Sequence, residues 1–194
     1  AHSKAERWFD NELADRYELF APTFLRIFEG TFAGEPMELI PCWKELFREG
    51  MGWRTTKDNR RWYRTLYIYI PRKNAKTTTI AALALAICVI EPEARGQIFV
   101  AASDEDQAKI MFDFAAAFID NDEIENGGTG YLPSVFFVQS ESIEHLPTKT
   151  KIRFLSGSAL GKTGLNPTVM IIDEFQEQKS TELLSKLKTG SSGR

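Results

Sequence analysis

LYIYIPRKNAKTTT, residues 66–79, is the stretch that decides the fold. Leu66–Ile70 is rich in β-branched and aromatic residues with no polar side that would face solvent. It predicts a strand buried on both faces, as in a parallel sheet. Pro71–Ala75 interrupts it, and Lys76 opens a run rich in Ala and Leu that continues to Ile90 before Pro92 stops it, which predicts a helix. A strand, a short loop and a Lys-Thr pair at a helix start form the setting of a phosphate-binding loop. Backbone N–H groups at the helix start, helped by the helix dipole, cradle a β-phosphate. A lysine there reaches the β/γ oxygens, and the hydroxyl of the next residue ligates Mg2+. Against the pattern G-x-x-x-x-G-K-[ST], Ile70 and Ala75 stand where the glycines belong. Ala75 is the smallest replacement, but its Cβ disfavours positive φ.

The elements outward from this stretch alternate. Residues 5–30 place Trp8, Phe9, Leu13, Leu19, Phe20, Phe24 and Phe28 among charged positions and predict an N-terminal helical layer, residues 1–34, broken by Gly30 and Gly34. Trp43–Arg48 predicts a short helix after Pro41. Gln97–Ala102 reads as a strand. Ser103 then suits the N-cap of an amphipathic helix with Ala108, Met111, Phe112, Ala115 and Ile119 on its core face. Asn121–Pro133 reads as a surface loop, Val135–Val138 and Lys151–Leu155 as strands around a turn, Thr168–Ile172 as a buried strand and Thr181–Lys188 as a last helix. Strands alternating with helices predict an α/β domain over residues 35–194, with a central, mainly parallel sheet.

Composition removes several classes. The 194 residues are 43% hydrophobic and include 14 Phe and 4 Trp, enough for a packed core, which excludes a disordered or collagen-like chain. Two cysteines, Cys42 and Cys88, lie in apolar surroundings and read as reduced core residues of an intracellular protein. With His2 and His145 they cannot build a Cys/His zinc site, so any metal must take oxygen ligands. The longest apolar run, Ile80–Ile90, is too short to span a bilayer, and no membrane partner is expected. Between Arg54 and Lys76 eight basic residues stand against Asp58 alone, interleaved with Trp53, Trp62 and Tyr63. Such a run suits contact with a polyanion, although a solvated basic face has the same composition.

A second motif carries Asp173, 97 positions after Lys76. TVMIIDE, residues 168–174, places Asp173 and Glu174 at the carboxyl end of a strand, the edge of an open α/β sheet where ligands bind. Asp173 there can hold Mg2+ and Glu174 can polarise the water that attacks a γ-phosphate. The two motifs together point to an ATP site. A rival G-K-T within GSALGKT, residues 157–163, is followed at once by Gly164 and Pro167, so no helix start is expected there to hold a phosphate.

PRKNAKTT at 71–78, the helix after it, VAASDEDQA at 100–108, LSGSALGKTGLNP at 155–167 and IIDEFQE at 171–177 together resemble the large terminase of tailed bacteriophages, in its N-terminal ATPase domain. The resemblance covers roughly residues 35–194. It implies a P-loop NTPase of the RecA-like, additional-strand, catalytic-glutamate type. It also implies ATP and Mg2+ as ligands, and translocation of double-stranded DNA into a procapsid. Lys76 and Thr77 match the Walker A lysine and Mg2+ hydroxyl, Asp173 the Walker B carboxylate and second metal ligand, and Glu174 the catalytic glutamate. Arg72, Lys73, Asn74, Ala75, Lys76, Thr77 and Thr78 are the implied nucleotide-binding residues. Lys162 lies where relatives supply a basic finger to a neighbouring subunit's site. Implied partners are the portal protein, the small terminase subunit and further copies in a pentameric ring, in the host cytoplasm at the portal vertex. Trp43 stands where the family reads adenine with a glutamine; a packed structural aromatic is favoured there over an adenine-stacking one. The family's coupling motif and C-terminal nuclease have no counterpart in these residues, so no nuclease activity is expected of them. Two alternatives stay open: a nucleotide-gated assembly or DNA-docking module, and another helicase-like ATPase.

Overall fold

The computed structural model describes residues 6–71, 73–156 and 167–174. The chain starts with a short strand β1 (Arg7–Phe9), then α1 (Asn11–Phe24), α2 (Pro41–Gly52), β2 (Trp53–Thr55), α3 (Lys76–Ile90), β3 (Gln97–Ala102) and α4 (Glu105–Asn121). A 3-10 turn over Ile124–Asn126 leads to α5 (Tyr131–Val135), β4 (Phe136–Val138), β5 (Ser142–His145), β6 (Thr150–Ser156) and β7 (Val169–Ile172). Strands β1 and β2 pair antiparallel, while the main sheet runs β4-β5-β6-β3-β7.

That sheet is mixed. β3 pairs parallel with β6 and with β7, whereas β5 pairs antiparallel with both β4 and β6. The expectation of a mainly parallel sheet is corrected by β5, which sits between the two strands read as flanking a simple turn. Short hairpin connections force antiparallel pairing, because a parallel return needs a crossover of a dozen residues or more.

Helix α3 organises the interior. Eleven of its 15 residues are buried, from Thr79 to Ile90. It is apolar on every side, as a helix enclosed by protein must be. Each buried Leu or Ile in it, such as Leu85 and Ile87, contributes about 1.5–3 kcal/mol. Cys88 shares this core, and burial pushes its thiol up to about 12. Cys42, by contrast, is exposed in the first turn of α2, which corrects its reading as a core residue. Of its apolar neighbours only Trp43 turns inward, while Ile40, Pro41 and Cys42 face out.

Helix α4 starts one residue later than read. Asp104 is its N-cap, accepting the Gln107 N–H at 2.8 Å, and Ser103 donates to Asp104 instead. Past α4, the fully buried Asp122 accepts from the Thr129 and Leu132 N–H groups at 2.7 and 2.8 Å, and so folds the acidic loop back on itself. The N-terminal layer contains α1, but residues 7–9 form β1 because Arg7, Trp8 and Phe9 find strand partners in β2.

The largest departure concerns Leu66–Ile70. These residues form no strand, and Tyr67 and Tyr69 are exposed, Tyr69 at 96%. Only Ile70 packs against the core. Strand propensity describes how well a residue fits a pleated, half-buried surface, and it yields a strand only where a neighbouring edge offers hydrogen bonds. Among the described residues this segment pairs with no strand, and β7, the last strand of the order, pairs with β3 alone and keeps its outer edge unpaired. The expected helix over Thr181–Lys188 and the 157–163 segment lie outside the described residues.

The N-terminal layer is tied to the C-terminal end of α3 by a polar cluster. Glu91, the residue after α3, accepts from the Tyr17 hydroxyl at 2.6 Å, from Arg61 Nε at 2.8 Å and from Arg54. Burial by itself would raise the Glu91 carboxyl; the Arg61 charge and these three donors outweigh it and hold the group below its ordinary value. Burial also keeps the Tyr17 hydroxyl protonated. Because the folded-state carboxyl titrates below its unfolded value, this stabilisation is complete above about pH 4.5 and is lost as pH falls through the folded-state value. Glu91→Gln leaves the buried Arg54 unpaired and is expected to cost about 3 kcal/mol at neutral pH. Urea unfolding of the two proteins between pH 3 and 7, roughly the carboxylate range, should show the wild-type advantage shrinking in acid; a constant gap would contradict the cluster's role.

Candidate functional site

The carboxyl ends of β3, β6 and β7 share one edge of the sheet. Ser103 follows β3, Ser156 ends β6, and Asp173 and Glu174 follow β7. Asp173 is held in place by its own backbone, whose N–H donates to the Ala101 carbonyl at 2.8 Å. It is 8% exposed, and its Oδ1 accepts the Glu174 N–H at 2.9 Å. Glu174 has φ 50°, in the left-handed region that costs an L residue about 1–2 kcal/mol, so its carboxylate is carried on a strained turn.

Helix α3 brings its first residue to this edge. Lys76 Nζ lies 3.0 Å from Asp173 Oδ1, which joins the two motifs read separately in the sequence. The loop before the helix has positive φ at Lys73 (69°) and at Ala75 (51°), and not at Asn74 between them. Alternation of positive and negative φ turns successive N–H groups toward one concave side, which favours an anion there. Ala75, in a glycine's usual position, takes the glycine conformation at the cost of strain. It also serves as the N-cap of α3 with no side-chain hydrogen bond, so the cap is backbone alone.

Loop residues Lys73 and Ala75 are exposed, and Asn74, Lys76, Thr77 and Thr78 half-buried around the helix start. Asn74 Nδ2 donates to the Pro71 carbonyl at 3.0 Å, bracing the loop across its neck. Lys76, Asp173 and Glu174 are thus brought together with the 73–78 loop. Arg72 and Lys162 lie outside the described residues. Trp43 is 2% exposed and donates from Nε1 to the Asn74 carbonyl at 2.9 Å. It is a packed residue touching the loop from beneath. Nothing in the spacing of two residues 31 positions apart signals that contact.

The basic run from 54 to 76 does not form one outward face. Arg54 and Arg61 turn inward to Glu91, and Arg60 pairs with Asp58. The structure therefore places a part of the apparent polyanion surface in the interior. No helix among the described residues is long and apolar enough to cross a membrane.

An α/β sheet edge that unites a lysine at a helix start with an acidic pair beyond a neighbouring strand defines the chain's class, and the match to a family model is direct. The model of the terminase large subunit, ATPase domain, matches residues 45–194, and the chain belongs to that family. Among solved structures, the crystal structure of the HK97 bacteriophage large terminase is similar at 25% identity and a TM-score of 0.74, covering 93% of this chain and 35% of that one. The chain thus spans about a third of the length of that relative. Comparison with curated proteins gives no match.

Two substitutions test the local physics. Ala75→Gly relieves the left-handed strain and is expected to raise stability by about 0.5–1 kcal/mol after the entropy gained by the unfolded chain is subtracted. Thr79 Oγ1 is buried without a hydrogen-bond partner among the described residues. Thr79→Val keeps the shape, removes the orphan and should stabilise by about 1 kcal/mol. Thermal unfolding checks both, and a lowered midpoint in either variant contradicts the corresponding reading.

Proposed function

We propose that this chain binds and hydrolyses ATP with Mg2+, as the ATPase unit of a motor that drives double-stranded DNA into a viral procapsid. The observation that carries the reading is the Lys76–Asp173 contact at 3.0 Å beside the alternating 73–75 backbone. An ammonium has three donors and no acceptor, so Lys76 can keep Asp173 and still reach phosphate oxygens. The N–H groups at the start of α3 and the helix dipole add to the attraction for the phosphates.

Among the described residues no cluster of three or more His, Cys, Asp or Glu is placed to hold a metal. Mg2+ commonly takes one or two carboxylates and completes its shell with substrate phosphates and water. The residues fit it: the Thr77 hydroxyl and the Asp173 carboxylate would hold the ion, and when bound it supplies positive charge to the phosphate oxygens. Glu174 accepts a proton from the attacking water in this reading. Arg72, Lys73 and Thr78 complete the nucleotide-binding loop in this reading. Lys162 serves turnover, as a cation that stabilises charge on the γ-phosphate in the same or a neighbouring subunit.

The family membership supports assembly as a homo-oligomeric ring on a portal, with a small terminase subunit and double-stranded DNA as further partners. A nucleotide-gated docking module remains the second reading, favoured by the internal pairing of Arg54 and Arg61, which withdraws two cations from any DNA-facing surface.

Titration with Mg-ATP and a phosphate-release assay separate these readings. Lys76→Ala should lose binding, Lys162→Ala should keep it, and Glu174→Gln should bind normally while turning over about 10²–10⁴-fold more slowly. A Glu174→Gln protein as active as wild type would remove the glutamate from the mechanism. Binding lost in Lys162→Ala but kept in Lys76→Ala would move the phosphate site to the 157–163 segment. Tight binding without turnover, even with DNA present, would favour the docking module.

A further inference from the structure

We propose that Trp43 is the positioning residue of the phosphate-binding loop: by holding the Asn74 carbonyl it aims the Ala75 N–H at the bound phosphate. The inference deepens the nucleotide-site reading and rests on it. Trp43 lies in the first turn of α2, three positions past Ile40, whose carbonyl accepts the Trp43 N–H at 2.9 Å. Its ring is 2% exposed within the core cluster that includes Met37, Leu39 and Phe47. The indole therefore has a fixed place and direction, and its Nε1–H donates to the Asn74 carbonyl at 2.9 Å.

The consequence follows from peptide geometry. A trans peptide is planar, with C=O and N–H pointing in opposite directions, and the chain contains no cis bond among the described residues. Fixing the Asn74 carbonyl on the indole side turns the Ala75 N–H to the opposite side. Ala75 has φ 51°, a conformation an alanine leaves readily. Rotating the Asn74–Ala75 peptide plane by half a turn would carry that φ into the ordinary negative range. The same rotation would replace an N–H donor by a carbonyl oxygen, which repels phosphate. In a glycine-containing loop the left-handed state carries no such strain. Here an alanine occupies the position, and the hydrogen bond from Trp43 opposes the flip. A buried indole N–H stripped of its acceptor is costly, so the bond also resists loss from the α2 side. Burial of both ring faces leaves no place for an adenine to stack on Trp43.

The test compares wild type, Trp43→Phe and Lys76→Ala by Mg-ATP titration, with the Ala75 amide followed by 1H–15N spectra and unfolding monitored on the same samples. Trp43→Phe keeps an aromatic ring in the core and removes only the donor. It is expected to fold, to bind Mg-ATP about tenfold more weakly, and to lose the shift of the Ala75 amide that Mg-ATP causes in wild type. A folded Trp43→Phe protein with affinity within about twofold of wild type and the same Ala75 shift would overturn the positioning role while leaving a Lys76-dependent nucleotide site intact. Should Trp43→Phe not unfold cooperatively, the wild type alone decides: an Ala75 amide that moves on Mg-ATP binding, with the Trp43 indole proton still slow to exchange, supports the role, and an unmoved amide overturns it. A wild type that ignores Mg-ATP, or a Lys76→Ala protein that binds as well as wild type, overturns the nucleotide site itself and the positioning role with it.

Discussion

The contact of Lys76 with Asp173 is where the architecture becomes chemistry, and everything around it serves to make that distance 3.0 Å. Lys76 is the first residue of a helix enclosed on all sides, and Asp173 is the first residue after a strand registered against β3. Neither position can drift without unpacking α3 or breaking the Asp173 N–H bond to Ala101. The far end of α3 is fixed as firmly, by Glu91 and its donors from α1 and the segment after α2. One buried helix thus links the polar cluster at Glu91 to the Lys73–Ala75 loop at its start.

The strain in the site is local and is held by that rigid frame. Ala75 and Glu174, on the two sides of the Lys76–Asp173 contact, are both left-handed without being glycine. Such conformations persist only where the surroundings over-determine them. For Glu174 the restraint is the N–H bond to Asp173; for Ala75 it is the helix start on one side and the indole of Trp43, through Asn74, on the other. The loop dispenses with glycine because a second element, α2, supplies the constraint that glycine's freedom would make unnecessary.

Where the sequence could be read, the determinants were close together along the chain. The 76–90 helix is bounded by a loop and Pro92, and β3 and α4 follow from uninterrupted apolar runs and helical periodicity. The acid pair could be placed at a strand end because TVMII is immediately before it. LYIYI misled because its composition is that of a buried strand, while the segment pairs with no strand of the sheet and leaves Tyr67 and Tyr69 exposed. SIEH, which forms β5, is short and polar enough to pass for a turn, and only its pairing with β4 and β6 makes it a strand. Cys42 and the basic run misled in a related way, since neither apolar neighbours nor a charge count states which way a side chain points.

By itself, then, the chain determined the helix that carries Lys76 and Thr77, the strand that leads into Asp173, and the pairing of a phosphate-loop motif with an acidic one. These depend on periodicity, capping and breakers acting over a few residues. The tertiary structure decided that β5 makes the sheet mixed, that Leu66–Ile70 stays outside it, that Arg54 and Arg61 turn to Glu91, and that Trp43 reaches Asn74. Each of those outcomes is a choice of partner between segments far apart in sequence. Such choices are settled by which hydrogen-bonding edges and charges meet when the core closes, and no local pattern encodes them.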